Sequence, residues 1–345
     1  MKKRMKRFLA LALVCMMASY VFAGCSKKAD PADNDAEATK APAATEEDAG
    51  TDGTTPEEGR VFAYCTSTLN NPFMTTIGDA LKAACEENGD SLIIFDPQYD
   101  QAKQISQVED AINQGVAGIF LLAVDSSGVK TVLDQAVEKR IPVIAIDNPV
   151  TDSDLVAAIV ASDNFNAGYI IGESMIEDFP DGAKIAIIDS PTMQACVDRY
   201  DGFVKALEDA GKTDKFEVAA KQDGFASLEK AMPIAESMIQ ANPDIQAFYG
   251  INDPTALGII AALKAANKLE GMKIYGVDGS PDGKAALKDG TLAVTAAQSP
   301  VNLAETSYEN MLKVLNGETI EKSIAVDTFK IDASNVDEYG VDGWQ

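Results

Sequence analysis

Residues 92–122 read LIIFDPQYDQAKQISQVEDAINQGVAGIFLL, and the class of fold can be inferred from this segment. It contains two short apolar runs, at residues 92–95 and 118–122, which have the length and composition of strands covered on both faces. Between them, residues 101–114 place apolar side chains at the spacing of an amphipathic helix. A strand, a helix and a second strand in this order predict a βαβ unit of a parallel sheet.

The same alternation continues through the chain from residue 61 onward. Five apolar runs form a first group, at residues 61–64, 92–95, 118–122, 142–146 and 156–161. Five more form a second group, at residues 185–188, 216–219, 246–249, 273–277 and 292–294. The sequence therefore predicts an α/β protein with two doubly wound parallel sheets in series.

Polar residues follow many of these runs, at the sheet edge where open parallel sheets bind their ligands. They are residues 67–73, Asp147, Asn148, Asp163, Asn164, residues 189–199, Asn252, Asp253, Asp278 and Gln298. We interpret Asp163, Asn164 and Asp253 as hinge and helix-capping residues. No phosphate-binding glycine motif follows a strand, so the sequence does not support a dinucleotide or a nucleoside triphosphate as ligand.

The composition excludes several classes of function. The 345 residues carry a formal net charge of −25, and no basic stretch interleaved with aromatic residues follows residue 7, so nucleic acid is not an expected partner. The chain contains no histidine, which excludes Ser-His-Asp and Cys-His catalysis and histidine-ligated metals. We therefore expect a protein without catalytic residues, cofactor or metal.

The first 25 residues have the pattern of a secretory signal. Five cationic residues within residues 2–7 precede an apolar run at residues 8–18, and residues 21–25 read VFAGC. This pattern predicts a signal peptide over residues 1–24. The VFAGC sequence resembles the lipobox of bacterial lipoproteins, which implies that Cys25 is acylated, for example with palmitate, and that this lipid is the protein's only attachment to the cell membrane.

Residues 26–59 contain no Val, Ile, Leu or aromatic residue. A segment of this composition cannot bury enough apolar surface to fold. We therefore predict that residues 25–59 comprise the lipidated cysteine and a disordered acidic tether.

Three cysteines follow Cys25 in the chain, namely Cys65, Cys85 and Cys196. They are widely spaced and no C-x-x-C sequence occurs, so neither a disulfide framework nor a metal site is indicated. We interpret them as small core residues. The sequence leaves open whether Cys65 and Cys85 form a disulfide.

Four stretches of the sequence resemble ribose-type periplasmic binding proteins, the substrate-binding proteins of ABC importers. They are STLNNPF at residues 67–73 after the first predicted strand, Asp147 after the fourth, IND at 251–253 followed by ALG at 256–258, and GVDGSPDG at 276–283. The similarity extends from about residue 61 to residue 327.

The resemblance implies the type I periplasmic binding protein fold, in which two lobes are joined by a three-strand hinge. The chain would cross between the lobes near Ser162, Gln298 and Asp327. The N-terminal lobe would then comprise residues 60–162 and 299–327, and the C-terminal lobe residues 163–298 and 328–345.

The resemblance also implies a function. A neutral monosaccharide would bind between the lobes, which close on it, and an ABC permease would receive the loaded form outside the cytoplasm. Such proteins act as monomers. Carried over by position, the ligand contacts are Asn71, Phe73, Asp147, Asn148, Arg199, Phe225, Asn252, Asp278 and Gln298.

The residue types fit a sugar on physical grounds. Carboxylates, amides and a guanidinium satisfy hydroxyl groups that donate and accept, while Phe73 and Phe225 would cover the faces of the ring. Two acids, Asp147 and Asp278, against the single cation Arg199 give a formal charge of −1, which disfavours an anionic sugar.

Three positions depart from the ribose pattern. Asn148 replaces an Arg, Met74 replaces an aromatic residue and Leu122 replaces an Asn. These changes point to a ligand with another hydroxyl pattern or with a bulkier, less polar substituent.

Two alternatives remain. The same fold could bind a furanose-like signalling molecule, a polyol or an inositol. A glycoside-processing enzyme could work through two carboxylates without histidine. A transcriptional regulator is not supported, because a signal peptide and an acidic tether take the place of a helix-turn-helix before residue 61.

Overall fold

The computed structural model describes residues 59–345. The predicted signal peptide, the lipidated Cys25 and all but the last residue of the predicted tether lie outside the described residues. Within residues 59–345, every helix is too short or too polar to cross a membrane.

The first sheet has six strands in the order β11-β5-β4-β3-β1-β2, and all of its neighbouring strands are parallel. Its strands are β1 (Val61–Cys65), β2 (Ser91–Phe95), β3 (Gly118–Leu121), β4 (Val143–Ile146), β5 (Ala158–Ser162) and β11 (Ser323–Val326). The helices that connect these strands are α1 (Pro72–Glu87), α2 (Gln101–Gln114) and α3 (Lys130–Lys139). A later helix, α9 (Pro300–Leu315), packs against α1, β4 and β5.

The second sheet also has six strands, in the order β12-β10-β9-β8-β6-β7. They are β6 (Ala183–Asp189), β7 (Phe216–Asp223), β8 (Ala247–Gly250), β9 (Lys273–Asp278), β10 (Val294–Ala297) and β12 (Phe329–Asp332). β12 runs antiparallel to β10, whereas the other neighbouring strands are parallel. The remaining helices are α4 (Asn164–Asp178), α5 (Gln194–Asp209), α6 (Leu228–Ala241), α7 (Asp253–Ala265), α8 (Pro281–Lys288) and α10 (Val336–Tyr339).

Burial explains why the apolar runs form strands. Every residue of β3, β4, β8 and β10 is buried, as expected for strands that helices cover on both faces. Each of the ten predicted runs contains or overlaps a strand of the structure. The two strands that the pattern missed, β11 and β12, are partly exposed edge strands; β11 has an apolar run of only three residues, at 324–326, and a lysine interrupts β12.

The three cysteines are buried, as predicted. They are also free, so no bridge joins Cys65 to Cys85, a pairing that the sequence left open.

The chain passes between the two sheets at three places. It leaves the first sheet at the end of β5, returns after β10 to form α9, and runs from β11 directly into β12 of the second sheet. Two lobes, each a predominantly parallel sheet flanked by helices, confirm the predicted fold class.

Candidate ligand-binding site

The first lobe contributes the N-terminus of α1 to the candidate site. Asn71 caps this helix, since its Oδ1 accepts a hydrogen bond of 3.0 Å from the Phe73 backbone N. Pro72 occupies the first turn, where a missing N–H costs nothing. The cap fixes the backbone between Asn71 and Phe73, so both side chains are buried and positioned at the end of β1.

The first lobe also contributes Asp147, directly after β4. Its φ of 66° is a left-handed conformation that few non-glycine residues adopt. The backbone N donates a hydrogen bond of 2.8 Å to the Val160 carbonyl. The side chain is buried, and its Oδ1 has no hydrogen-bond partner among the described residues.

Arg199 lies on α5 of the second lobe and is buried. Its Nε donates to the Asn164 Oδ1 at 2.8 Å, and its Nη1 donates to the Ile251 carbonyl at 3.1 Å. The Nη1 also lies 3.9 Å from the Asp278 Oδ1. Two neutral acceptors therefore hold the guanidinium in place, and its charge acts on the nearby carboxylates.

Asp278 ends β9, and Gln298 follows β10 on the neighbouring strand. The Gln298 Nε2 donates a hydrogen bond of 2.7 Å to the Asp278 Oδ1. Both side chains are buried, and the Asp278 Oδ2 and the Gln298 Oε1 have no partner among the described residues. The φ of Asp278 is 141°, so both acids of the site occupy strained backbone, as functional residues often do.

Asn252 combines a structural role with a place in the site. Its Oδ1 accepts from the Thr255 backbone N at 3.0 Å and from the Thr255 Oγ1 at 2.7 Å, which caps α7. Its Nδ2 donates to the Ala226 carbonyl at 3.1 Å. Asn252 can therefore cap α7 and line the candidate site at the same time.

These side chains meet in one cavity of about 20 Å³, which we call the inner cavity. Seven of the nine predicted contacts line it, namely Asn71, Phe73, Asp147, Arg199, Asn252, Asp278 and Gln298. Met74, Met193, Ala195, Cys196 and Ala226 complete the lining. The inner cavity thus joins residues of both lobes around a polar centre.

The structure does not bring Asn148 and Phe225 into the inner cavity. Asn148 is buried elsewhere, where its Oδ1 accepts from the Ser126 Oγ and the Ala195 N, both at 3.2 Å. Phe225 is 49% exposed, and its neighbour Ala226 lines the inner cavity instead. The Asn148 side chain is thus hydrogen-bonded to protein groups and the Phe225 side chain faces solvent, which sets both apart from the seven predicted contacts that line the inner cavity.

Burial changes the acidity of the two carboxyl groups. It raises the pKa of Asp147 to about 6, against the opposing effect of Arg199. Burial and the neighbouring Asp253 carboxylate raise the pKa of Asp278 well above its usual range, again opposed by Arg199. A donor placed against either carboxylate would favour the ionised form and lower the pKa again.

A second cavity of about 580 Å³ adjoins the inner one, and we call it the outer cavity. Tyr99 and Trp344 line it, and sequence reasoning identified neither. Trp344 is the only tryptophan of the chain. No strand or helix pattern near residue 344 indicates that its side chain lies beside the candidate site. The Trp344 and Phe73 rings are in edge-to-face contact, with their centroids 5.5 Å apart.

The chemistry of the site is that of a receptor for hydroxyl groups. Three residues that line one cavity, Asp147, Asp278 and Gln298, each carry a buried acceptor atom that has no partner within residues 59–345. Among residues 59–345, His, Cys, Asp and Glu side chains form no group of three or more that could hold a metal ion.

Two α/β lobes around a buried polar cavity define a two-lobed solute-binding protein. A family model for the periplasmic binding protein domain matches residues 62–319. The chain belongs to this family. The family consists of binding proteins and not of enzymes, which removes the glycoside-processing alternative.

Known proteins of the same kind are similar over most of their length. The ribose import binding protein RbsB of Salmonella typhimurium is 34% identical over 267 residues, which cover 77% of this chain and 88% of the relative. A solute-binding protein from Agrobacterium vitis with bound D-fucose has a TM-score of 0.76 at 26% identity, covering 81% of this chain and 97% of the other. A Bacillus halodurans protein with bound myo-inositol has a TM-score of 0.75 at 27% identity, covering 83% and 99%.

Proposed function

We propose that this protein binds a neutral monosaccharide between its lobes outside the cytoplasm and delivers it to an ABC permease. One observation carries the proposal. Asp147 of the first lobe and Asp278 and Gln298 of the second line the inner cavity, and each carries a buried acceptor atom without a partner among the described residues. A buried acceptor left without a donor costs about 1–3 kcal/mol, so hydroxyl donors from one ligand would satisfy all three.

The charge of the site supports a neutral ligand. Among the described residues that line the inner cavity, Arg199 is the only cation, and its Nη1 already lies 3.9 Å from the Asp278 Oδ1. A uronate or a sugar phosphate would add a buried negative charge without a free cation to compensate it. The relatives with bound D-fucose and myo-inositol carry neutral ligands of this kind.

Closure follows from the division of the site between lobes. The inner cavity has room for about one water molecule, so a sugar ring can occupy it only when the lobes lie further apart than they do here. A ligand that contacts both lobes gains its full set of contacts when they close on it. The closed form would then be the one that the permease recognises.

A thermal-shift panel tests the proposed ligand class. D-Ribose, D-allose, D-fucose and myo-inositol are compared with D-glucuronate and ribose 5-phosphate. A neutral member at 100 times its Kd should stabilise the protein by about 2.7 kcal/mol, and the charged members should have no effect. Stabilisation by the anionic compounds alone would contradict a neutral ligand.

An inositol or polyol is the second candidate. It is favoured by the similarity to a protein with bound myo-inositol and by the departures from the ribose pattern at Met74 and Asn148. Within the panel, a stabilisation by myo-inositol and by no sugar would identify this class.

We also propose that Cys25 is acylated and holds the monomeric protein at the membrane through residues 26–59. The VFAGC sequence supports this. Metabolic labelling with palmitate should mark the wild-type protein, whereas Cys25→Ser should be unlabelled and released from the membrane fraction. Labelling of the Cys25→Ser variant would refute the assignment.

A further inference from the structure

The inner and outer cavities lie next to each other and share part of their lining. Asn71, Phe73, Ala226 and Asp278 line both of them. The outer cavity, at about 580 Å³, lies within the volume range of roughly 300–1,000 Å³ that is usual for small-molecule sites. A molecule whose polar end lies in the inner cavity can therefore extend into the outer one.

The two cavities differ in chemistry. Carboxylate, amide and guanidinium groups face the inner cavity, whereas Phe73, Tyr99, Leu228, Leu257 and Trp344 line the outer one. The charged residues that line the outer cavity, other than Asp278, are Glu229, Lys230 and Asp282, and all three are exposed at its rim. The outer cavity therefore suits an apolar or aromatic group and not a second hydroxylated ring.

A small residue stands where the two cavities join. Ala226 is 3% exposed and lines both. Its carbonyl accepts the hydrogen bond from the Asn252 Nδ2, which holds the loop in place. The lining that the two cavities share is therefore anchored to Asn252, which itself lines the inner cavity.

Trp344 is held rigidly as a wall of the outer cavity. The buried Lys284 donates from its Nζ to the Gly343 carbonyl at 2.7 Å and to the Gln345 Oε1 at 3.1 Å. The Gln345 Nε2 donates in turn to the backbone carbonyls of Asp278 and Gln298, at 3.1 Å and 2.6 Å. The residues on both sides of Trp344 are thus hydrogen-bonded, Gly343 to Lys284 and Gln345 to Lys284 and to two residues that line the inner cavity.

We propose that the physiological ligand is a sugar that carries an apolar substituent, as in an aryl or alkyl glycoside. Its hydroxyl groups occupy the inner cavity and its substituent packs against Trp344 in the outer cavity. This inference rests on the proposed function of the inner cavity. In the inner cavity, Met74 replaces the aromatic residue of the ribose pattern beside Phe73. The inference also accounts for the aromatic side chain that Trp344 supplies in the outer cavity instead.

Isothermal titration with matched pairs of compounds tests this inference. Each pair consists of a free sugar and its phenyl β-glycoside, for D-ribose, D-allose and D-fucose. In at least one pair, the phenyl glycoside should bind at least tenfold more tightly than the free sugar. Because Trp344 is the only tryptophan, the glycoside should also change the protein's tryptophan fluorescence.

Two variants locate the effect. Trp344→Ala removes the wall, and Leu228→Glu places a charge in the outer cavity, so each should abolish the tenfold preference while leaving the Kd of the free sugar within threefold. Both residues line the outer cavity and not the inner one, and Leu228 is 38% exposed, so Glu can replace it without disturbing the core. Phe225→Ala is the matched control, since this exposed aromatic neighbour lines neither cavity, and it should retain the preference. Thermal unfolding confirms that each variant is folded, and Leu228→Glu decides if Trp344→Ala is not.

The outcomes separate this inference from the proposed function. Free sugars that bind as tightly as their glycosides, or a preference that survives in both variants, would overturn the inference and leave the proposed function intact. If no member of any pair binds, the proposed function itself is contradicted.

Discussion

The buried carboxyl group of Asp147 lowers the stability of the unliganded protein, and we attribute its burial to ligand binding. Burial raises its pKa from 3.8 to about 6, so its ionisation opposes folding at neutral pH. Stability from this group is fully present below pH 3.8 and is lost as the pH rises through about 6. Asp147→Asn should therefore stabilise the unliganded protein at pH 7.5 by up to about 3 kcal/mol, and by nearly nothing at pH 4.

Urea unfolding at the two pH values measures this difference. The exposed Asp110→Asn serves as the control and should change the free energy of unfolding by less than about 0.5 kcal/mol at either pH. A destabilised Asp147→Asn protein at pH 7.5 would show that the carboxylate contributes to the fold and not to a ligand.

Some site residues could be predicted from sequence because strand ends are predictable. Asp147, Asn252 and Asp278 each follow a buried run, and parallel strands bring such positions to one edge. Asn148 follows Asp147 directly, but its side chain is hydrogen-bonded to Ser126 and Ala195. A position beside a strand end does not reveal such partners. Trp344 was missed because its position depends on tertiary hydrogen bonds from Lys284.

At the level of secondary-structure elements, the placement of Arg199 depends on close packing of α4 against α5. A Cβ added at Gly168 of α4 would lie 1.7 Å from the Arg199 carbonyl oxygen. No side chain fits there unless the helices separate. Gly168→Ala should therefore destabilise the protein by about 3 kcal/mol and weaken ligand binding, because α5 carries Arg199.

Chemical unfolding and ligand titration measure both effects. Glu173→Ala, on the exposed face of the same helix, is the control for the change in helix propensity and should be nearly neutral. A Gly168→Ala protein of unchanged stability and affinity would rule out this role for the helix pair.

The elements themselves followed from the hydrophobic pattern wherever a strand was fully buried. The pattern did not identify the edge strands β11 and β12. In the loop before α6, Phe225 and Ala226 both have positive φ values, of 55° and 50°. An irregular turn has no periodicity that tells which of two neighbouring side chains points inward, and here Ala226 lines the inner cavity.

At the level of the whole molecule, Asn148 forms a hydrogen bond between the two lobes. It accepts a hydrogen bond from the Ala195 N of α5, and the nearby Ser126 Oγ accepts one from the Gln194 N at 3.0 Å. These bonds join the two lobes as they lie here. Asn148→Ala should weaken ligand affinity about five- to tenfold, through loss of about 1 kcal/mol from the closed form.

Small-angle X-ray scattering and titration together test this role. The radius of gyration at subsaturating ligand should be larger for Asn148→Ala than for the wild type. The exposed Asn316→Ala is the control and should change neither quantity. An unchanged affinity in Asn148→Ala would refute a contribution of this contact to closure.

The most direct test is calorimetric titration of the best ligand of the sugar panel into wild type, Asp147→Ala and Asp278→Ala. The two carboxylates belong to different lobes and line one cavity. Each single substitution should reduce the affinity at least tenfold, since each leaves a ligand hydroxyl without its acceptor. A folded variant of either kind that binds the ligand as tightly as the wild type would contradict a site shared between the lobes.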